Sequence, residues 1–264
     1  MIVRRIRKVF SGLPAIRVSY ILILALNRSF GASLAKWPSA LKWYLGDYRR
    51  LKEDSRSGNF RISSEYFFPC LTDKLPNTPV DAVYFLQDTW AARKIFSLKP
   101  YRHHDIGSSA MTMGILSQCV PVTMVDIRPI DIALDGLTFE KGSILNLPFA
   151  DGSIESLSSL CVVEHVGLGR YGDEIDPRGS EKAISELKRV LKPGGNLFLS
   201  VPVDRECRVY FNAHRAFTRD YLMQLFEGLE LVEERYQYGR GLHAAYKPEL
   251  GFGTGLFHLR KGKA

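Results

Sequence analysis

The chain has 264 residues, 45% of them hydrophobic and 24% charged, with a net charge of +8. That length accommodates one large α/β domain with an appendage, and the composition is that of a globular protein, which excludes extensive disorder. Residues 1–61 carry 13 Lys or Arg against three acids, whereas the other 23 bases and 25 acids nearly cancel, so the main domain lacks the basic face expected of a nucleic-acid binder.

Residues 1–78 are expected to form a basic helical extension. Arg4, Arg5, Arg7, Lys8 and Arg17 precede the run VSYILILAL at 18–26, and Arg28, Lys36, Trp37, Lys42, Trp43 and Tyr44 follow it. This run of about nine residues is well short of the roughly 17–25 that span a bilayer, which argues against a transmembrane anchor there. Three readings stay open. The extension can be a helical cap on the main domain. It can be an interfacial segment, since bases interleaved with Trp, Tyr and Leu suit a headgroup boundary, giving peripheral contact with the inner face of a membrane. It can also be a secretory leader, because basic, apolar and small residues (Gly31, Ala32, Ser33) occur in that order. Cys70, Cys119, Cys161 and Cys207 form no C-x-x-C pair. Neither a disulfide framework nor a metal site is therefore expected, and a cytoplasmic setting is favoured.

From residue 79 to 264 helix and strand signals alternate, the pattern of a sheet with crossover helices. Asp81 caps a helix running to about Phe96. A strand over 102–106 reaches the turn DIGSS at 105–109, a short helix covers 110–118, and the strand VTMVDI ends at Asp126 and Ile127. A turn at Asp151 and Gly152 feeds a strand over 156–162. The helix at 181–191 presents Ile184, Leu187 and Leu191 on one face and breaks at Lys192-Pro193-Gly194-Gly195. The strand NLFLSVPV at 196–203 follows. Thr218 caps a helix to about Phe226, and strands over 229–236 and 255–260 complete the sheet.

In such a sheet ligands bind beyond the carboxyl ends of the strands. Three segments fall there. Gly107 lets backbone approach a ligand, and the helix after it offers free amides. Asp126 follows 19 residues later, near the spacing at which an acid accepts from both hydroxyls of a ribose; a turn-capping acid is the alternative. Glu164 and His165 follow the fourth strand, where a histidine can take a proton from a hydroxyl or serve only as a structural hydrogen-bonding group.

These segments in this order resemble the class I S-adenosylmethionine-dependent methyltransferases over 79–264: DIGSS, VDIR, LPFADGSIESLSSLCVVEHV and ELKRVLKPGGNLFLSVP. More narrowly, HVGLGRYGDEIDPRGSEKAISELKRVLKPGG and VYFNAHRAF resemble the uncharacterised family known as domain of unknown function 268. The resemblance implies a doubly wound Rossmann-like α/β fold with a seven-stranded sheet, one strand antiparallel. It implies S-adenosylmethionine as cofactor, with Asp105, Gly107, Ser108 and Ser109 at the methionine part, Asp126 and Ile127 at the ribose, Ser143, Ile144 and Leu145 near adenine, and Cys161 beside them. Two features depart from the family pattern: Ser109 and Met111 stand where D-x-G-x-G-x-G has its second and third glycines, and Gly142-Ser143 stands where an acid often follows glycine before the adenine site.

The expected reaction is methyl transfer to a hydroxyl of a small molecule or glycan, with His165 as base and His214 as the second candidate. Glu164, Tyr171, Asp173, Asn212 and Arg215 are the expected substrate residues. The rival is a non-catalytic binding module that kept the fold.

Overall fold

A computed structural model of the chain describes residues 37–54, 59–128 and 130–263. The apolar run at 18–26, its flanking bases up to Lys36 and the small residues at 31–33 lie outside the described residues. The chain divides into two units, Met1–Pro79 and Val80–Ala264. In the first, helix α1 (Trp37–Asp54) buries Leu41. Tyr44 and Tyr48 set their edges against Phe67 at 5.5 and 4.6 Å. Among the described residues no helix is long and apolar enough to cross a membrane.

The second unit is built on one sheet. Helix α2 (Ala82–Leu98) starts at Asp81, whose carboxylate accepts the amides of Val83 and Tyr84. Strand β1 (His103–Ile106), helix α3 (Ala110–Leu116) and strands β2 (Val122–Asp126), β3 (Leu137–Lys141) and β4 (Ile154–Leu160) follow. Helix α4 (Gly179–Val190) leads into β5 (Leu191–Val203). A small antiparallel hairpin, β6 (Arg208–Tyr210) and β7 (His214–Ala216), stands apart from the main sheet. Helix α5 (Arg219–Leu225), β8 (Leu229–Tyr238), β9 (Gly241–His243) and β10 (Gly253–Lys261) complete the unit.

The strand order is β3-β2-β1-β4-β5-β10-β8-β9. The first five run parallel, and β10 is antiparallel to both its neighbours. The seven expected strands are present, with three-residue β9 folded back antiparallel on β8 as an eighth. Successive residues on a strand face opposite layers, and this divides the core in two. Leu197 and Leu199 of β5 pack with Ala183, Ile184 and Leu187 of α4. Phe198, between them in sequence, packs with Trp90 and Ile95 of α2 and Met113 of α3.

Boundaries differ from expectation where backbone geometry overrides composition. β5 starts at Leu191, not Asn196, because Pro193 and Gly194 break the helix without ending the extended run; the register with β4 jumps there instead. β4 ends at Leu160, before Cys161 turns to φ +52°.

Strands β1 and β4 are joined along their length by a buried polar chain. His103 and Asp105 are fully buried. The His103 ring nitrogens lie 2.8 Å from the hydroxyls of Ser156 and Ser158, and Ser158 donates to Asp105 Oδ1. An ionised carboxylate only accepts, so Ser158 spends its single proton on Asp105 and must accept from His103 Nε2–H. Nδ1 then accepts from Ser156. Burial holds His103 down at about 3, hence neutral. Replacing Ser158 with alanine strands the imidazole N–H and one carboxylate lone pair together. Ser158→Ala is expected to cost about 1–3 kcal/mol per stranded group, seen as a lower urea midpoint at unchanged slope.

Candidate active site

A crevice opens beyond the carboxyl ends of β1, β2, β3 and β4, with about 680 Å³ free of protein atoms, part of it open solvent. Gly107 follows β1, held by its amide on the Val125 carbonyl at 2.9 Å. Its φ is +71°, and a Cβ there would press on Val162 Cγ1 at 3.0 Å. A side chain would therefore both strain the turn and crowd the crevice. Ser108 anchors the turn: its amide and hydroxyl bond Asp105 at 3.0 and 2.6 Å, and its oxygen accepts the Leu160 amide at 2.8 Å. Ser109 caps α3 through the Thr112 amide.

Asp126, at the end of β2, is the acidic wall. Its Oδ1 accepts the Arg128 amide at 2.8 Å and lies 3.5 Å from that residue's Nε. No donor among the described residues reaches Oδ2. Ile127 and Leu145, both exposed, supply apolar surface at the same crevice. Ser143 turns its oxygen onto the Leu145 amide at 3.2 Å, and buried Ile144 lies between them.

The opposite wall starts at Cys161. Its left-handed backbone is one of two non-glycine positive φ values among the described residues, and such geometry concentrates at functional sites. The thiol donates to Gln87 Oε1 at 3.0 Å, which also takes the Ser200 hydroxyl at 2.8 Å. Burial raises the thiol well above its ordinary range, so it stays protonated.

His165 lines the crevice. Its Nδ1 lies 2.6 Å from the Ala213 carbonyl, which requires the proton on Nδ1 and leaves the Nε2 lone pair free. Burial depresses its pKa to about 4, so the ring is neutral near pH 7. Glu164 is buried behind it, with Oε1 3.7 Å from His165 Nε2 and Oε2 without a partner. Burial pushes this carboxyl up to about 8, opposed in part by its backbone amide, Cys161 and Arg170.

The loop at 167–176 forms the outer rim. Asp173 holds it by accepting the amides of Gly167, Gly169 and Tyr171 at 2.7, 3.4 and 3.2 Å. Burial would raise this carboxyl, yet those amides outweigh it and keep it below the usual range. Gly167 has φ +80°, and a Cβ would overlap the Asp176 carbonyl. Tyr171 lies between two guanidinium groups, Arg128 at 4.5 Å and Arg170 at 5.1 Å from its ring centre.

Ten of the expected residues thus line one crevice: Gly107, Asp126, Ile127, Ser143, Ile144, Leu145, Cys161, His165, Tyr171 and Asp173. The others take different places. Asp105 is fully buried with its oxygens committed to Ser108 and Ser158, so it supports the turn from beneath. Ser108 spends its hydroxyl on Asp105 and the Leu160 amide, and Ser109 on the Thr112 amide. Arg215 is buried, donating to the carbonyls of Val166, Asp176 and Pro177 and to Ser180 Oγ. Asn212 is exposed beside the hairpin turn. His214 packs against Tyr210 and Phe252 rather than on the crevice. Arg128, Arg170 and Gln87 were not anticipated. Arg128 adjoins the acidic strand end in VDIR, a usable signal; Arg170 in a glycine-rich loop reads as a solvated charge.

Solved structures give the fold a precedent. The N-methyltransferase NodS from Bradyrhizobium japonicum WM9 aligns with a TM-score of 0.52 and 18% identity, over 69% of this chain and 98% of that one. NodS in complex with S-adenosyl-L-homocysteine aligns at 0.50 and 18% identity, over 81% and 97%. The (4+2)-cyclase SpnF aligns at 0.51 and 14% identity, over 67% and 82%. The domain has the class I methyltransferase fold. The family described as Caenorhabditis protein of unknown function, DUF268, matches residues 146–240, the part of the methyltransferase-like sheet running from before β4 through β8. No curated protein matches the chain.

The buried Glu164 carboxyl generates a pH signature. Unfolded, it titrates near 4.5; folded, near 8. Between those values the native state binds more protons, so this residue's contribution to stability falls as pH rises and levels off above about 8. Glutamine mimics the protonated form. Glu164→Gln is expected to melt with the wild type at pH 5 and above it at pH 9. Parallel melting profiles across that range would refute the assignment.

Proposed function

We propose that the chain is a methyltransferase that uses S-adenosylmethionine and modifies a hydroxyl of a small molecule or glycan. The observation carrying this reading is the chemistry lining one crevice: a side-chain-free turn at Gly107, a carboxylate at Asp126 with one uncommitted oxygen, and a neutral imidazole at His165 opposite. The donor set fits the cofactor. Asp126 Oδ2 can accept from a ribose diol, Ile127 and Leu145 offer apolar faces to adenine, and Gly107 leaves room for the methionine part. At the second glycine position Ser109 turns its side chain onto the Thr112 amide, and at the third Met111 is exposed.

Bound there, S-adenosylmethionine supplies a methyl group already activated as a sulfonium. The residues of the chain then have three tasks. The loop at 167–176 screens the crevice mouth from water, with Tyr171 pinned between Arg128 and Arg170. Asp126 fixes the cofactor, so that methyl and acceptor meet in line. His165 takes the acceptor proton on Nε2, because Nδ1–H is committed to Ala213. A base at this position contributes about 10²–10⁴-fold. The low pKa of His165 keeps it unprotonated through the neutral range.

Micromolar binding of S-adenosylmethionine and S-adenosylhomocysteine is expected by calorimetric titration, weakened at least about tenfold by Asp126→Ala, the loss of a charge-assisted hydrogen bond. A folded wild-type protein that binds neither would be a binding module without this cofactor. His165→Ala is expected to leave cofactor affinity unchanged and to lower turnover about 10²-fold or more. Equal loss of affinity and turnover would make His165 a cofactor contact instead.

A further inference from the structure

We propose that Arg170 binds an anionic group of the methyl acceptor, a carboxylate or phosphate ester carried on a flat ring. This deepens the function proposed above and rests on it. Arg170 stands beside two residues that line the crevice, 5.1 Å from the Tyr171 ring centre and with Nη1 3.4 Å from His165 Nδ1. Its Nη1 donates to the Ala213 carbonyl at 3.0 Å, the carbonyl that also takes the His165 Nδ1 proton. The guanidinium lies against the Tyr171 ring. It is therefore held at two points although the side chain is exposed.

The other edge of this guanidinium, Nε and Nη2, has no acceptor among the described residues. Three other arginines fill that edge with a carboxylate. Arg260 sets Nε and Nη2 on Glu230 at 3.1 and 3.0 Å, Arg189 sets them on Glu186 at 2.8 and 2.7 Å, and Arg208 sets them on Glu206. A fork held in place with its edge open suits two oxygens of one anion. The nearby acids are otherwise engaged: Asp173 is tied to the loop amides, and Glu164 is buried behind His165.

Rings extend from this point. His165 stands 5.6 Å from Tyr171 and 6.5 Å from His214. His214 continues to Tyr210 at 5.1 Å and Phe252 at 5.3 Å. Phe252 is 45% exposed and Tyr210 36% exposed, so the wall offers free aromatic surface beside a cation. An acceptor with a flat ring and an oxyanion satisfies both features.

The test is calorimetric titration of the full chain saturated with S-adenosylhomocysteine. The probes are 4-hydroxybenzoate, its neutral analogue 4-hydroxybenzamide, and phenyl phosphate. One acid is expected to bind at least about tenfold more tightly than the amide, and the better acid identifies the oxyanion. Arg170→Gln should abolish that preference while leaving S-adenosylhomocysteine affinity within about twofold, and Arg170→Lys should restore only part of it. Equal binding of acids and amide, or a preference that survives in Arg170→Gln, overturns the proposal. So does weakened S-adenosylhomocysteine binding with 5′-methylthioadenosine binding unchanged, because the fork would then hold the cofactor carboxylate. A wild-type protein that fails to bind S-adenosylhomocysteine counts against the cofactor assignment, and the acid preference is then read on the protein alone.

Discussion

The site depends on one constraint: the carboxylate of Asp105 is buried at the end of β1 and must be surrounded by donors. An uncompensated charge there would cost far more than the domain's margin of stability. Burial still raises Asp105 to about 6, against the Ser108 and Ser158 hydrogen bonds that stabilise its charge. Those two serines come from different elements, and each has a second commitment. Ser108 holds the Leu160 amide, and Ser158 meets His103. Satisfying one carboxylate therefore fixes the turn after β1, the end of β4 and the spacing between them.

That spacing shapes the crevice. With β1 and β4 tied at their ends, Gly107 faces Val162 closely enough that only a hydrogen fits between them. Cys161 takes a left-handed turn there, and Gln87 of α2 accepts from both its thiol and the Ser200 hydroxyl. The helix layer is thus bonded to the strand ends where the chain changes direction. A crevice supported in this way is largely preformed, as sites that align two reactants must be.

The fold was legible because its signals are redundant. Apolar strands and a capped helix at Asp81 mark boundaries, the Pro-Gly step at 193–194 falls three residues past one, and the alternation of helix and strand leaves few topologies. The strand-end residues Gly107, Asp126 and His165 were legible for a related reason: their positions follow from the ends of elements. Side chains whose role depends on distant partners were not. Asp105 looks like a ligand residue in sequence, and only the positions of Ser108 and Ser158 show that its oxygens are already taken. Arg215 reads as a substrate residue beside a histidine, yet it is buried and donates to carbonyls some 40 residues earlier. Arg170 carries the opposite lesson, since an ordinary loop arginine becomes distinctive only when one of its edges is seen to be tethered.

The two halves of the crevice share a ring. Arg128 bonds Asp126 and stacks on Tyr171, while Arg170 stacks on the same ring and reaches the carbonyl that orients His165. Moving Tyr171 therefore disturbs both the acidic wall and the imidazole, even though those groups sit on different strands. The loop carrying Tyr171 is secured by Asp173 through three backbone amides and by buried Arg215 through carbonyls, so it is braced from both polarities of its own backbone. A rim braced in that way behaves as a fixed wall more than as a free flap. Selection between acceptors then falls to the exposed groups beside it, and the open edge of Arg170 is suited to distinguish an anion from a neutral ring.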